Sequence, residues 1–172
     1  IGLNAATEAG DEITLTGCKV VDGEGKELPL FKYFANYDEG DKVTIDGEVY
    51  TLGDGSIADA EGNVTAYSEA GLKDALENGG TVILANPFTI DQSESNGYGK
   101  TGINMTNGGT LDGNGNELGA PGSTGTWDSA INTSGGTIKN IKVSKGFRGI
   151  FIKKDANHNE KLYLDNVTID GT

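Results

Sequence analysis

This chain of 172 residues carries 26 acidic and 13 basic side chains, a formal charge of −13, so it repels nucleic acid instead of offering the basic footprint that such a partner needs. No apolar run approaches the roughly 20 residues of a membrane-spanning helix, and a single cysteine, Cys18, permits no intrachain disulfide. Glycine outnumbers proline 28 to 3 and falls between short apolar and β-branched runs, a composition that points to many tight turns joining short strands.

From residue 1 to about 64 the apolar residues alternate over short runs: Ile13 and Leu15, Cys18 and Val20, Leu28 and Leu30, Val43 and Ile45, then Val49 and Leu52 around Tyr50. Period two over such lengths predicts half-buried strands. Asp22-Gly23, Asp38-Glu39-Gly40, Asp46-Gly47 and Asp54-Gly55 supply the positive-φ positions of hairpin turns, and Thr44 to Tyr50 is the strongest hairpin. Three or four antiparallel strands are expected, forming a small barrel or sandwich, with Cys18 as a small buried strand residue. The carboxylates of these turns admit calcium, but one turn cannot gather the six to eight oxygens that calcium takes.

Residues 67–79 predict a short helix. Ser68 is a natural N-cap, Glu69 suits the positive end of the helix dipole, Tyr67 is placed to staple to Leu72, and Gly79 is a left-handed stop. Its narrow apolar stripe, Leu72, Ala75 and Leu76, suits a cap laid across the open end of a sheet stack.

Beyond the helix a Gly-Gly-Thr-aliphatic tetrad recurs at 79–82, 108–111 and 135–138, and Leu164 marks a fourth copy without the glycines. The aliphatic members Val82, Leu111, Ile138 and Leu164 follow at intervals of 29, 27 and 26 residues, the periodicity of a solenoid. Short strands in each repeat predict a parallel β-helix of four rungs. Ile138 to Val143 aligns with Leu164 to Ile169, which stacks Asn140 under Asn166 in a ladder of side-chain amides.

The helix leading into Gly79-Gly80-Thr81-Val82-Ile83-Leu84, the stretch from Gly108 to Leu118, and Gly149-Ile150-Phe151-Ile152 followed by Leu164 to Ile169 resemble right-handed parallel β-helix proteins of the pectate-lyase-like superfamily. The likeness covers about residues 67–172. It implies a right-handed parallel β-helix; with the N-terminal capping helix and the small antiparallel β unit read from the residues above, the chain is expected to be all-β and divided at about residues 64 and 65. The superfamily includes polysaccharide lyases and hydrolases, tailspikes, adhesins and non-catalytic surface proteins, so the likeness implies no single activity. The opening from Gly2 to Ile13 resembles the start of small tailed-phage capsid decoration proteins.

A lyase of that superfamily implies calcium-binding carboxylates on one sheet with an arginine or lysine base beside them, and a pectin hydrolase implies paired aspartates on one rung. Here Arg148 is the only arginine and stands next to Phe147, and no Asp-Asp pair occurs. Asp112-Gly113-Asn114-Gly115-Asn116 imitates a calcium loop, but Glu117 and Ser123 stand where that loop needs glycine and glutamate. His158 lies in a polar loop with no second histidine to share a metal. Asn63, Asn104, Asn132 and Asn166 begin Asn-x-Ser/Thr triplets, which matter only on a eukaryotic secretory route. Tyr98 and Trp127 sit in long Gly/Ser/Thr/Asn loops, where an aromatic either stacks on a sugar ring or a protein or folds back over the coil.

These residues lead to a non-catalytic, exposed structural or adhesive module of a cell surface or virion, with Tyr98, Trp127 and Arg148 as candidate binding residues and no cofactor beyond the calcium that the turns admit. The alternative is a carbohydrate-active enzyme with an incomplete groove. Expected partners are carbohydrate, other subunits or a continuing C-terminal portion, because Thr172 falls in mid-coil and leaves an edge strand open.

Overall fold

The computed structural model describes residues 12–28, 30–34, 38–95, 97–105, 108–120, 125–144, 147–153 and 161–170. The N-terminal unit begins with β1 (Glu12–Leu15) and a separate two-stranded ribbon of β2 (Val20–Val21) and β3 (Glu27–Leu28). A four-strand meander follows: β4 (Lys42–Ile45), β5 (Glu48–Gly53), β6 (Ser56–Ala58) and β7 (Val64–Ala66), each antiparallel to the one before. The β4–β5 hairpin is the one expected at Thr44 to Tyr50, and Asp46 (φ 52°) with Gly47 (φ 94°) forms its turn, both central residues left-handed as the strand twist requires. β1 adds to β4 in parallel. Phe34, Val43, Leu52 and Ile57 fill the core of this unit. Cys18 departs from its expected burial: it is exposed just before the β2–β3 ribbon, which stands in a sheet of its own instead of in the meander.

β7 is the joint. It pairs antiparallel with β6 on one side and parallel with β8 (Thr81–Leu84) on the other, so the sheet runs from the meander into the coil without a break. Between them lies α1 (Glu69–Glu77), whose Ser68 N-cap accepts a hydrogen bond at 3.1 Å from the Gly71 N–H and whose end is followed by Gly79 at φ 74°. Leu72, Ala75 and Leu76 bury their side chains over the coil core. The Tyr67 ring lies 5.4 Å from that of Phe31, tying the helix start to the N-terminal unit.

The remaining strands build a β-solenoid of about five turns, a parallel β-helix. They are β9 (Phe88–Thr89), β10 (Glu94–Ser95), β11 (Lys100–Met105), β12 (Thr110–Asp112), β13 (Glu117–Gly119), β14 (Ser129–Thr133), β15 (Gly136–Ser144), β16 (Arg148–Ile152) and β17 (Leu162–Asp170). One side stacks β8, β12, β15 and β17; a second stacks β9, β13 and the later parts of β15 and β17; a third stacks β11, β14 and β16, with β10 antiparallel at its edge. β15 and β17 belong to two sides because each bends at a single left-handed asparagine, Asn140 (φ 50°) or Asn166 (φ 51°).

The register stacks Val82, Leu111, Ile138 and Leu164 in one column, as the repeat predicts. The first three are fully buried, and each aliphatic side chain removed from water contributes about 1.5–3 kcal/mol. The recurring glycines have a steric cause. A Cβ on Gly109 would lie 2.7 Å from the Gly80 carbonyl oxygen, and one on Gly136 would lie 2.5 Å from that of Gly109, inside contact distance. Thr110 and Thr137 then donate their N–H groups to those same carbonyls at 3.0 and 2.8 Å. The tetrad therefore marks where successive turns of the coil touch backbone to backbone.

Candidate functional site

The third side of the coil carries a short repeated pattern on its strands: Gly102-Ile103-Asn104, Ala130-Ile131-Asn132 and Gly149-Ile150-Phe151. Ile103 pairs with Ile131 and Ile131 with Ile150; Asn104 pairs with Asn132 and Asn132 with Phe151. The polar column starts at Glu94, which accepts from Asn104 Nδ2, and continues as Asn132 donates from Nδ2 to Asn104 Oδ1 at 2.7 Å. Where a third asparagine would continue the column, an aromatic ring stands instead.

Phe151 is the centre of a cluster drawn from three segments. The Tyr98 ring lies 5.7 Å from it and 5.9 Å from the Trp127 ring, and Trp127 meets Phe151 edge-on at 6.5 Å. The Arg148 guanidinium lies 4.3 Å from the centre of the Trp127 ring and 5.6 Å from that of Phe151. A cation held over an aromatic face in this range is worth about 0.5–2 kcal/mol. The cluster stays open to solvent: Tyr98 is 66 % exposed, Trp127 48 % and neighbouring Phe147 53 %.

Asp128 sets this geometry. Only 6 % exposed, it accepts from the Lys100 N–H through Oδ1 and from the Gly125 N–H through Oδ2, both at 2.8 Å, while its own carbonyl accepts from the Arg148 N–H at 3.1 Å. One buried residue thus ties together three segments: its side chain binds the strand after Tyr98 and the turn holding Trp127, and its backbone carbonyl binds the start of the strand holding Arg148. Gly99 completes the fit, since a Cβ there would lie 2.7 Å from the Trp127 backbone.

Tyr98, Trp127 and Arg148, which the sequence offered as separate candidates, are therefore neighbours, and Trp127 supplies a ring beneath Arg148. Phe151 and Asp128 were missed. The signal for Phe151 was the repeated Ile-Asn, Ile-Asn, Ile-Phe pattern, in which it breaks a column of amides. Nothing in the sequence marks Asp128 apart from other turn aspartates. His158 lies outside the described residues, as does nearly all of the stretch likened to decoration proteins.

Asp112, Glu117 and Asp170, elsewhere on the coil, are tied into structural contacts. Asp112 is 3.2 Å from Lys139 Nζ and accepts from the Asn114 N–H at 2.9 Å and Asn140 Nδ2 at 3.2 Å. Burial works to raise its pKa, but these hydrogen bonds and the Lys139 ammonium outweigh it and hold the carboxyl below its ordinary value. Glu117 and Asp170 flank Lys142 at 3.3 Å each, and hydrogen bonds to both, Glu117 first, raise the Lys142 pKa. Among the described residues no three His, Cys, Asp or Glu side chains converge as a metal site would require. A cleft of about 420 Å³ between the meander and α1 offers two carboxylates, Glu39 and Asp74, with neither a basic nor an aromatic residue in its lining.

No protein-family model, curated protein or solved structure matches this chain. The parallel β-helix therefore stands on the coil's own register. No helix among the described residues is long and apolar enough to cross a membrane.

Proposed function

We propose that this protein is a non-catalytic, exposed structural or adhesive module of a cell surface or virion, a distant relative of the pectate-lyase-like β-helices, which holds carbohydrate on its aromatic cluster. The observation that carries this reading is the exposed surface of Tyr98 and Trp127, fixed beside Phe151 and Arg148 by a buried aspartate. Flat rings held rigidly lose little conformational freedom when a sugar ring stacks on them. The guanidinium, already positioned over Trp127, keeps N–H donors for hydroxyl oxygens at the margin.

Trp127 is the only tryptophan, so fluorescence excited selectively at tryptophan, beyond the absorption of the six tyrosines, reports this site alone. Titration with neutral and with acidic oligosaccharides is expected to give a saturable change for at least one class, lost in Tyr98→Ala and in Arg148→Ala, with no new reducing ends and no unsaturated product. A flat titration across both classes refutes the carbohydrate assignment. Product formation would replace it with the enzymatic one.

A further inference from the structure

The buried columns of the coil all reach the same level and open there. Leu111 and Ile138 are fully buried, but Leu164 above them is 51 % exposed; Leu118 and Val143 are fully buried, but Ile169 is 50 % exposed. On the third side Met105 and Thr133 are buried and Ile152 is 52 % exposed. Three independent columns thus end in half-exposed aliphatic side chains, and Ile150, Leu162 and Val167, partly buried against the core, lie among them. This surface is a cross-section of the core, bounded by a nine-residue strand, β17, whose only partner strand among those described is β15.

We propose that the face formed by β16 and β17 docks a further parallel β coil, and the columns state its chemistry. Aliphatic residues would stand over Leu164, Val167 and Ile169, continuing the existing stacks. An asparagine would stand over Asn166 and donate to its Oδ1, as Asn166 does to Asn140 at 3.1 Å. A lysine would stand over Asp170, extending the alternation of Glu117, Lys142 and Asp170.

A second copy of this chain fits the face less well. Residues 129–172 hold seven basic and four acidic residues, so two copies placed tail to tail would oppose like charge. Residues 1–64 hold four basic and fourteen acidic residues, and that charge does complement the open face. However, the edge strand there, β1, spans four residues against nine and runs antiparallel to β17 through the three reversals of the meander. A parallel coil matches β17 in direction, length and side-chain column together.

The test appends one coil after Asp170, a 26-residue copy of positions 145–170 with lysine at the position copied from Asp170; 26 is the spacing that separates Asn140 from Asn166. A control carries one extra residue before the copied strand, which turns its aliphatic side chains outward. Docking predicts that the in-register coil raises the melting temperature by at least about 5 °C, adds strand signal in circular dichroism and abolishes binding of a hydrophobic dye, while the shifted coil does none of these. Equal behaviour of the two chains, or an in-register coil that stays unstructured, overturns the proposal. So does a parent chain that sediments as a dimer and is dissociated by Leu164→Lys, which would assign the face to a second copy.

Discussion

Asn166 donates from Nδ2 to Asn140 Oδ1 at 3.1 Å, and Asn140 donates in turn to Asp112 Oδ1 at 3.2 Å, so one chain of side-chain hydrogen bonds crosses three turns of the coil. Both asparagines also hold the left-handed backbone that lets a strand turn a corner in one residue. The side chain and the backbone thus make separate demands on the same position, and two substitutions distinguish them. Asn140→Gly keeps the corner and removes the bonds, at an expected cost of about 1–2 kcal/mol. Asn140→Ala loses the same bonds but keeps a Cβ in the left-handed region without the local hydrogen bonding that lets asparagine tolerate it, so it should be about 1–2 kcal/mol less stable than the glycine variant. Urea denaturation of the two variants measures the difference, and equal midpoints would mean that the corner itself is unstrained.

Gly71 contradicts ordinary helix propensity. In the middle of an exposed helix, Gly→Ala stabilises by roughly 0.5–1 kcal/mol. Here a Cβ would stand 2.4 Å from the Gly55 carbonyl oxygen, which already accepts the N–H groups of Tyr67 and Ser68 at 2.9 and 3.1 Å. The close approach seats the cap on the β5–β6 turn, and Gly55, itself left-handed at φ 72°, has no more room on its side. Gly71→Ala is expected to destabilise the protein by about 1–3 kcal/mol, read as a lower thermal midpoint; an unchanged or raised midpoint would show that the helix shifts freely.

Much of this arrangement was legible in the sequence because it repeats. Val82, Leu111, Ile138 and Leu164 recur at nearly constant spacing, and the structure stacks them in register. Ser68 and Gly79 bracket α1 for reasons local to a few residues. The aromatic cluster was not legible as a cluster. Tyr98, Trp127 and Arg148 come from segments of unequal length, and only the pairing of β11, β14 and β16 brings them together. The same limit applies to β1, which pairs with β4 across an intervening ribbon that no periodicity reveals. Cys18 was misplaced because alternation in a short run does not distinguish a main sheet from a two-residue ribbon beside it.

Asp112 makes the coil sensitive to acid. Its carboxyl sits below its ordinary pKa in the folded state, for although burial opposes ionisation, the Asn114 N–H, the Asn140 amide and the Lys139 ammonium favour the carboxylate more. The unfolded chain therefore binds this proton more readily than the folded one. The resulting stability is fully present above the ordinary carboxylate pKa of about 4 and is lost as pH falls below it toward the depressed folded value. Asp112→Asn should lower the thermal midpoint at neutral pH and flatten its fall below about pH 4. A variant whose midpoint falls as steeply as the parent's would assign that acid sensitivity to other carboxylates.

Leu111 and Leu164 occupy one column but meet different surroundings. Leu111 is fully buried between Val82 and Ile138, so truncating it removes contacts above and below and leaves a cavity that rigid backbone stacking prevents from closing. Leu111→Ala should cost about 2–5 kcal/mol. Leu164 is half exposed, covered from beneath by Ile138, and the space left by truncation is open to solvent. Leu164→Ala should cost less than about 1.5 kcal/mol, in proportion to the smaller apolar area it removes from water. Chemical denaturation of both variants compares the two costs at constant chemistry. Equal losses would mean that Leu164 is covered in solution, whereas the expected inequality places the boundary of the packed core between Ile138 and Leu164.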